Sequence, residues 1–264
     1  MILKSPLFLL LITLLALPQA LQAEKPQTQS LFNGKDLGNW DYDQEYWRVE
    51  NGLIIGQTTA DNPLDQNTFL IWKEGEPTDF ELKVKFRVYG EEEWANSGIQ
   101  YRSQRMPEKG EYVVGGYQAD IDYTKKYLGI LYEEKGRGIL VLPGDKAVLE
   151  PNPLAETKTL PKPRQYKRVN LEPYPQAVEF VSQFQPKEWN TYRIIAWKNR
   201  LLHLINDQPV MECLDLDKKN RSHQGVIALQ LHRGTPMTIE FESVELTPLT
   251  KKPTAFTIPQ PSSN

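Results

Sequence analysis

Phe80 to Tyr89 reads FELKVKFRVY. Leu82, Val84, Phe86 and Val88 alternate with Glu81, Lys83, Lys85 and Arg87. Successive side chains leave opposite faces of a pleated strand, so a period of two with one apolar and one charged face predicts a half-buried antiparallel strand. The same alternation extends outward along the chain. It recurs in LIIGQT from Leu53, FLIW from Phe69, SGIQYRSQ from Ser97, GGYQADID from Gly115, YLGILYEE from Tyr127 and GILVL from Gly138. It returns in TYRIIAW from Thr191, LLHLIN from Leu201, GVIALQLHR from Gly225 and MTIEFESVEL from Met237. TYRIIAW and LLHLIN are split only by Lys198, Asn199 and Arg200, which predicts a hairpin. No segment keeps a period of 3.6 for more than a turn or two. About eleven strands with polar turns predict an all-β sandwich or barrel.

The flanks carry a different pattern. Lys4 precedes an apolar run, Leu7 to Leu17, that is short for a bilayer span. Pro18 breaks it and Ala23 suits a cleavage point. Residues 1–23 are expected to be a signal peptide and 24–30 a polar spacer, with the compact domain over 31–249. No cysteine follows the apolar run, so no lipoprotein signal is present, and the expected location is periplasmic or secreted, with no membrane attachment after cleavage. Pro151 to Pro175 holds six prolines, and it is expected to be a long surface excursion bordering a site. Residues 250–264, rich in Pro, Ser and Thr, are expected to be a disordered tail. Cys213 is the only cysteine among 264 residues, which excludes an intrachain disulfide and leaves stability to the core. The net charge of −3 offers no basic patch for nucleic acid.

Three strands break the surface pattern of FELKVKFRVY. Opposite their apolar faces, SGIQYRSQ presents Gln100 and Arg102, GGYQADID presents Gln118, Asp120 and Asp122, and GVIALQLHR presents Gln230 and His232. An ordinary solvated sheet face carries Lys, Glu and Thr. Amides, a guanidinium, carboxylates and an imidazole on a rigid sheet are directional groups suited to a polar ligand. Each also has a plainer reading. The glutamines could pair with one another, Arg102 could bridge to Asp120 or Asp122, His232 could be structural, and Asp122 could form a turn. Trp94, in the loop before SGIQYRSQ, suits stacking on a sugar or, equally, packing. No HxH, HExxH or CxxC spacing occurs. A divalent cation held by Asp120 and Asp122 stays open without a motif behind it.

LFNGKDLGNW, NSGIQYRS, GGYQADID, LGILYEEKGRGIL, EWNTYRIIAWKNRLLHLIND and GVIALQLHRG, in that order, resemble the 3-keto-disaccharide hydrolase domain family. The resemblance spans Leu31 to Leu249. It implies a concanavalin A-like lectin/glucanase jelly-roll sandwich and action on an oligosaccharide or glycoside whose C3 hydroxyl has become a ketone. Such chemistry needs a base at C2, a group that stabilises an enolate, and an acid for the departing oxygen. Placed on this chain, Asp120 or His232 is expected as the base and Arg102, alone or with a cation, as the enolate stabiliser. Glu133 is expected as the acid. Asn96, Gln100, Gln118, Gln230, Trp94 and Arg137 are expected to bind or border the sugar. A non-catalytic, lectin-like carbohydrate-binding module is the alternative.

Overall fold

The computed structural model describes residues 27–153 and 166–259. The expected signal peptide, most of the proline-rich excursion and residues 260–264 lie outside the described residues. In chain order the strands begin with β1 (Gln29–Ser30), β2 (Trp40–Asp41), β3 (Trp47–Glu50), β4 (Leu53–Gln57), β5 (Thr68–Trp72) and β6 (Phe80–Gly90). They continue with β7 (Asn96–Arg105), β8 (Val114–Asp122), β9 (Leu131–Glu134), β10 (Gly138–Val141), β11 (Lys146–Pro151) and β12 (Tyr166–Asn170). The helix α1 (Ala177–Gln183) precedes β13 (Asn190–Trp197), β14 (Arg200–Ile205), β15 (Gln208–Asp215), β16 (Val226–Leu231) and β17 (Met237–Pro248).

Among the described residues these strands form two sheets. The ten-stranded sheet runs β12-β11-β15-β14-β13-β6-β17-β4-β3, with β1 paired to β17. The seven-stranded sheet runs β10-β9-β8-β7-β16-β5-β2. Among the described strands only β11 and β15 pair in parallel. The result is an all-β jelly-roll sandwich. FELKVKFRVY opens β6, between β13 and β17. Its Leu82, Val84, Phe86 and Val88 are fully buried, as the alternation predicts. They meet the inner face of the other sheet, which supplies Ile99, Tyr101, Tyr117, Ala119, Ile121, Ile227 and Leu229 to the same core. At about 25 cal/mol per Å² of apolar surface removed from water, a core of this extent is the main stabilising term of the fold.

The described residues differ from expectation at two places, the spacer and the C-terminal tail. The spacer ends in a strand: Gln29 and Ser30 pair with Leu246 and Glu245. The described ends of the proline-rich excursion are paired, with Pro151 at the end of β11 opposite Tyr166 of the edge strand β12 and past the last residue of β11 that pairs with β15, so the missing N–H breaks no ladder there. The C-terminal tail is docked rather than disordered as far as Pro259. Phe256 packs with Ile195, Leu202 and Leu204, and Ile258 is buried. Glu212 accepts the backbone N–H groups of Thr257 and Ile258, and Arg200 donates to the Ile258 carbonyl at 2.6 Å. Composition alone missed this because two apolar side chains and one buried carboxylate hold the segment.

Candidate active site

The outer face of the seven-stranded sheet divides in two. At one end Phe69, Ile71, Val114, Val226 and Ala228 form a separate apolar cluster. At the other, a cleft of about 610 Å³ opens over the polar residues of β8, β9 and β16. Asn96, Gln118, Asp120, Gln230 and His232 line it, five of the residues expected from the sequence.

Asp120 lies on the floor. Gln118 Nε2 donates to its Oδ1 at 2.6 Å and Asn96 Nδ2 to its Oδ2 at 3.3 Å. Gln118 is itself fixed, its Oε1 accepting from Gln100 Nε2 at 2.6 Å and Gln230 Nε2 at 3.0 Å. Ser103 Oγ donates to Gln100 Oε1 at 2.7 Å. An aligned run of donors, Ser103 to Gln100 to Gln118, therefore ends on the Asp120 carboxylate. Gly98 makes this packing feasible. It pairs with Asp120 across the ladder, and a Cβ there would sit 2.6 Å from the Gln118 amide carbon. Burial pushes the Asp120 carboxyl up to about 7, against the opposing pull of the Gln118 and Asn96 hydrogen bonds, with Asp122 and Glu134 adding to the rise.

The walls carry other ionisable groups. Glu134 is raised by burial, partly offset by Lys135, whose Nζ lies 3.4 Å away. Tyr132 is raised by burial and by the charges of Glu134 and Asp120. His232 is lowered by burial, so its imidazole is neutral at pH 7, and its Nδ1 hydrogen-bonds the Arg233 carbonyl. That bond leaves Nε2 as the basic nitrogen. Arg233 and Lys135 bring positive charge to the same cleft.

The structure separates the other expected residues from it. Gln100 is buried beneath Gln118 and acts as its support. Trp94 stands beside the cleft with its ring 5.6 Å from that of His232, under Gly234, and braces the imidazole rather than lining the cleft. Asp122 forms the turn after β8, its carboxylate accepting from the Thr124 and Tyr127 N–H groups. Those commitments, and the amides on Asp120, disfavour a cation between the two. No group of three or more His, Cys, Asp or Glu suited to a metal occurs among the described residues.

Arg102, Glu133 and Arg137 are corrected outright. A β-bulge between Tyr101 and Gln104 resets the parity of β7, with Arg102 at φ +49°. Gly116 allows it, because a Cβ there would meet Ser103 Oγ at 2.6 Å. Arg102 consequently reaches the loop before β6 and the β13–β14 turn, at one end of the ten-stranded sheet. It donates to the carbonyls of Thr78 at 2.5 and 2.8 Å and of Lys198 at 2.6 Å, and pairs with Asp79 at 3.1 Å. Glu133 pairs across the ladder with Tyr117, a core residue, so it points inward. There it meets Arg137, which also reaches Asp215 at 2.7 Å and Asp217 at 3.3 Å. Burial alone would lower the Arg137 guanidinium, but these carboxylates hold it firmly charged. The neighbours Tyr132 and Glu134 pair with Gln118 and Gly116 and face the cleft instead. Sequence parity within LYEE could have found both, had the register against GGYQADID been known. Gln66 and Asn67, in the loop before β5, carried no such signal.

Among curated proteins none matches the chain. Two solved proteins of Parabacteroides distasonis, each provisionally called a glycosyl hydrolase, share its fold. One is 17% identical with a TM-score of 0.54, covering 84% of this chain and 100% of that one. The other is 16% identical with a TM-score of 0.50, covering 84% and 94%. The 3-keto-alpha-glucoside-1,2-lyase-like domain matches residues 27–247, and the chain therefore belongs to that family of carbohydrate-active proteins.

Proposed function

We propose that this protein cleaves glycosides carrying a ketone at C3. The carbonyl acidifies the C2–H bond. Asp120 takes that proton and the electron pair passes to the C3 oxygen as an enolate. The ketone then re-forms as the C1–O bond breaks, leaving a C1=C2 double bond. Addition of water across it gives the free 3-keto sugar, so the net result is hydrolysis. The observation that carries this reading is Asp120 itself, a carboxylate at the floor of the cleft with both oxygens oriented by amides and a pKa close to neutral. A base is most effective when its pKa lies near the working pH.

The remaining roles are reassigned from the cleft as built. Lys135 and Arg233 replace Arg102 as the positive charges available to the enolate oxygen. Glu134 or Tyr132, both held toward their protonated forms, replaces Glu133 as the acid for the departing oxygen. Gln118 and Gln230 bind hydroxyls. His232, neutral with Nε2 unprotonated, is the second candidate base. The leader at residues 1–23 would deliver the enzyme to the periplasm or the medium, where glycosides are met outside the cytoplasm.

The test is incubation with a 3-keto-glucoside in D2O, following deuterium at C2 and release of the C1 substituent. Wild type should do both, and Asp120→Asn should lose both while keeping its fold. Release with no incorporation of deuterium at C2 and full activity in Asp120→Asn would overturn the elimination reading. Retained sugar binding with no turnover across a panel of 3-keto-glycosides would favour the non-catalytic module.

A further inference from the structure

The bulge in β7 also moves a serine. Simple alternation along SGIQYRSQ puts Ser103 on the core face with Ile99 and Tyr101. Instead Arg102 and Ser103 together stand opposite Gly116, and the Ser103 hydroxyl reaches Gln100 on the outer face. Glycines on both neighbouring strands make room for it. A Cβ at Gly116 would lie 2.7 Å from Ser103 Cα, and one at Gly225, at the entry to β16, would strike the Ser103 carbonyl oxygen. Ser103 and Gln100 are both wholly buried.

The hydroxyl decides a direction. A glutamine amide turned end for end exchanges donor for acceptor with little change of shape. Ser103 Oγ donates to Gln100 Oε1 at 2.7 Å, while its next acceptors, the Tyr101 and Tyr117 carbonyls, lie at 3.3 and 3.5 Å. With its oxygen engaged, Gln100 offers Nε2 to Gln118 Oε1 at 2.6 Å. Gln230 Nε2 approaches the same oxygen at 3.0 Å, so both neighbours impose one orientation. Gln118 is left to present Nε2 to Asp120 at 2.6 Å. Turned the other way, Gln118 would present Oε1, which repels a carboxylate and accepts from a protonated acid.

We propose that Ser103 is a positioning residue for the base: its hydroxyl sets the direction of the Gln100–Gln118 amide pair, so that a donor faces Asp120 and the ionised carboxylate is held ready. The proposal rests on the reading of Asp120 as the group that takes the C2 proton. Without the hydroxyl, the Gln100 oxygen is a buried acceptor with no donor, which is costly. Reversal of the amide pair relieves that cost, and Asp120 then keeps its proton more tightly. The charged and titratable groups around Asp120 come from every neighbouring element: Asp122 on β8, Tyr132 and Glu134 on β9, Lys135 beyond it, Tyr192 on β13, and His232 and Arg233 after β16. Ser103 bonds to none of these side chains, so its influence on Asp120 travels through the amides.

The test reads Asp120 without any substrate. Protein carrying carbon-13 at its aspartate carboxyls is titrated by NMR, the Asp120 signal being the one absent from Asp120→Asn. In wild type it should titrate at about 7. Ser103→Ala should raise that midpoint by about half a pH unit to one unit, and Gln100→Met, which breaks the run one link nearer, by at least as much. Ser103→Thr, which keeps the hydroxyl, should hold the wild-type midpoint. On a 3-keto-glucoside, the rising limb of kcat/KM in Ser103→Ala should move to higher pH by the same amount. An unmoved Asp120 midpoint in Ser103→Ala would overturn the proposal, and so would an equal fall of kcat/KM at every pH, which is what a merely structural role produces. If Ser103→Ala does not fold, Gln100→Met decides, and an unmoved midpoint there would overturn it. If wild type turns over no 3-keto-glucoside, the chemistry assigned to the cleft fails, while the titration still decides the role of Ser103.

Discussion

Asp120 is a carboxylate that its surroundings hold near half-protonation at pH 7. Two expectations follow from the sign of that shift. In the proposed role of base it would work ionised, so kcat/KM should climb with pH through about 7 and level off above, and Asp120→Asn should lower it by about 10²–10⁴-fold. For stability the sign is the opposite. The folded carboxyl binds its proton more tightly than the unfolded one, so stability is highest below the unfolded value and falls as pH rises from about 4 to about 7. Asp120→Asn should therefore gain on the order of 3 kcal/mol at pH 8, shrinking toward zero by pH 4, in urea denaturation at the two pH values. Unchanged midpoints at pH 8 would show that the floor of the cleft is more polar than its burial suggests. Parity on two of the three strands was enough to bring Gln118, Asp120, Gln230 and His232 to one cleft. The sequence did not show which glutamine faces the ligand and which supports it, because Gln100 and Gln118 are cross-strand partners whose side chains compete for the same surface.

At the level of elements, the bulge in β7 decides where an arginine goes. Arg102 follows Tyr101 at a left-handed backbone angle and is spent on main-chain carbonyls of the loop before β6 and the β13–β14 turn. Arg102→Met should thus cost about 2–4 kcal/mol of stability by leaving those carbonyls without their donor and removing the ion pair from Asp79, which keeps only the Lys198 N–H at 2.7 Å. It should leave kcat/KM of the folded enzyme unchanged, the reverse of what its place in SGIQYRSQ suggests. A normal melting temperature with lost turnover would return Arg102 to the chemistry. The failure of parity here is physical. One inserted residue rotates every later side chain by half a period, and nothing in YRSQ marks the insertion except its partner Gly116 on the next strand. Glu133 and Glu134 make the same point in β9, where adjacent identical residues serve the core ion cluster and the cleft respectively.

The whole molecule assigns different work to its two sheets. The seven-stranded sheet carries the cleft on its outer face, while the ten-stranded sheet carries the docked C-terminal segment on its own. Deleting residues 251–264 should expose Ile195, Leu202 and Leu204 and strip the Glu212 carboxylate of its Thr257 and Ile258 donors. The expected loss is about 3–5 kcal/mol, a fall of about 10 °C in Tm for a domain of this size, with kcat/KM retained well below the new Tm. A drop in turnover matching the drop in Tm would mean that the two faces are coupled through the core. The sandwich itself was legible from alternation, since strand faces follow from a period of two. The docked segment was not, since its anchoring depends on a carboxylate some forty residues away in sequence. The placement of the first strand and of the docked C-terminal segment has a practical side. Gln29 enters beside Leu246 and Phe256 leaves across β13 and β14, both on the ten-stranded sheet. A support attached through the docked C-terminal segment around Phe256 therefore holds the protein by the ten-stranded sheet, and the cleft on the other sheet is presented outward without any engineered orientation.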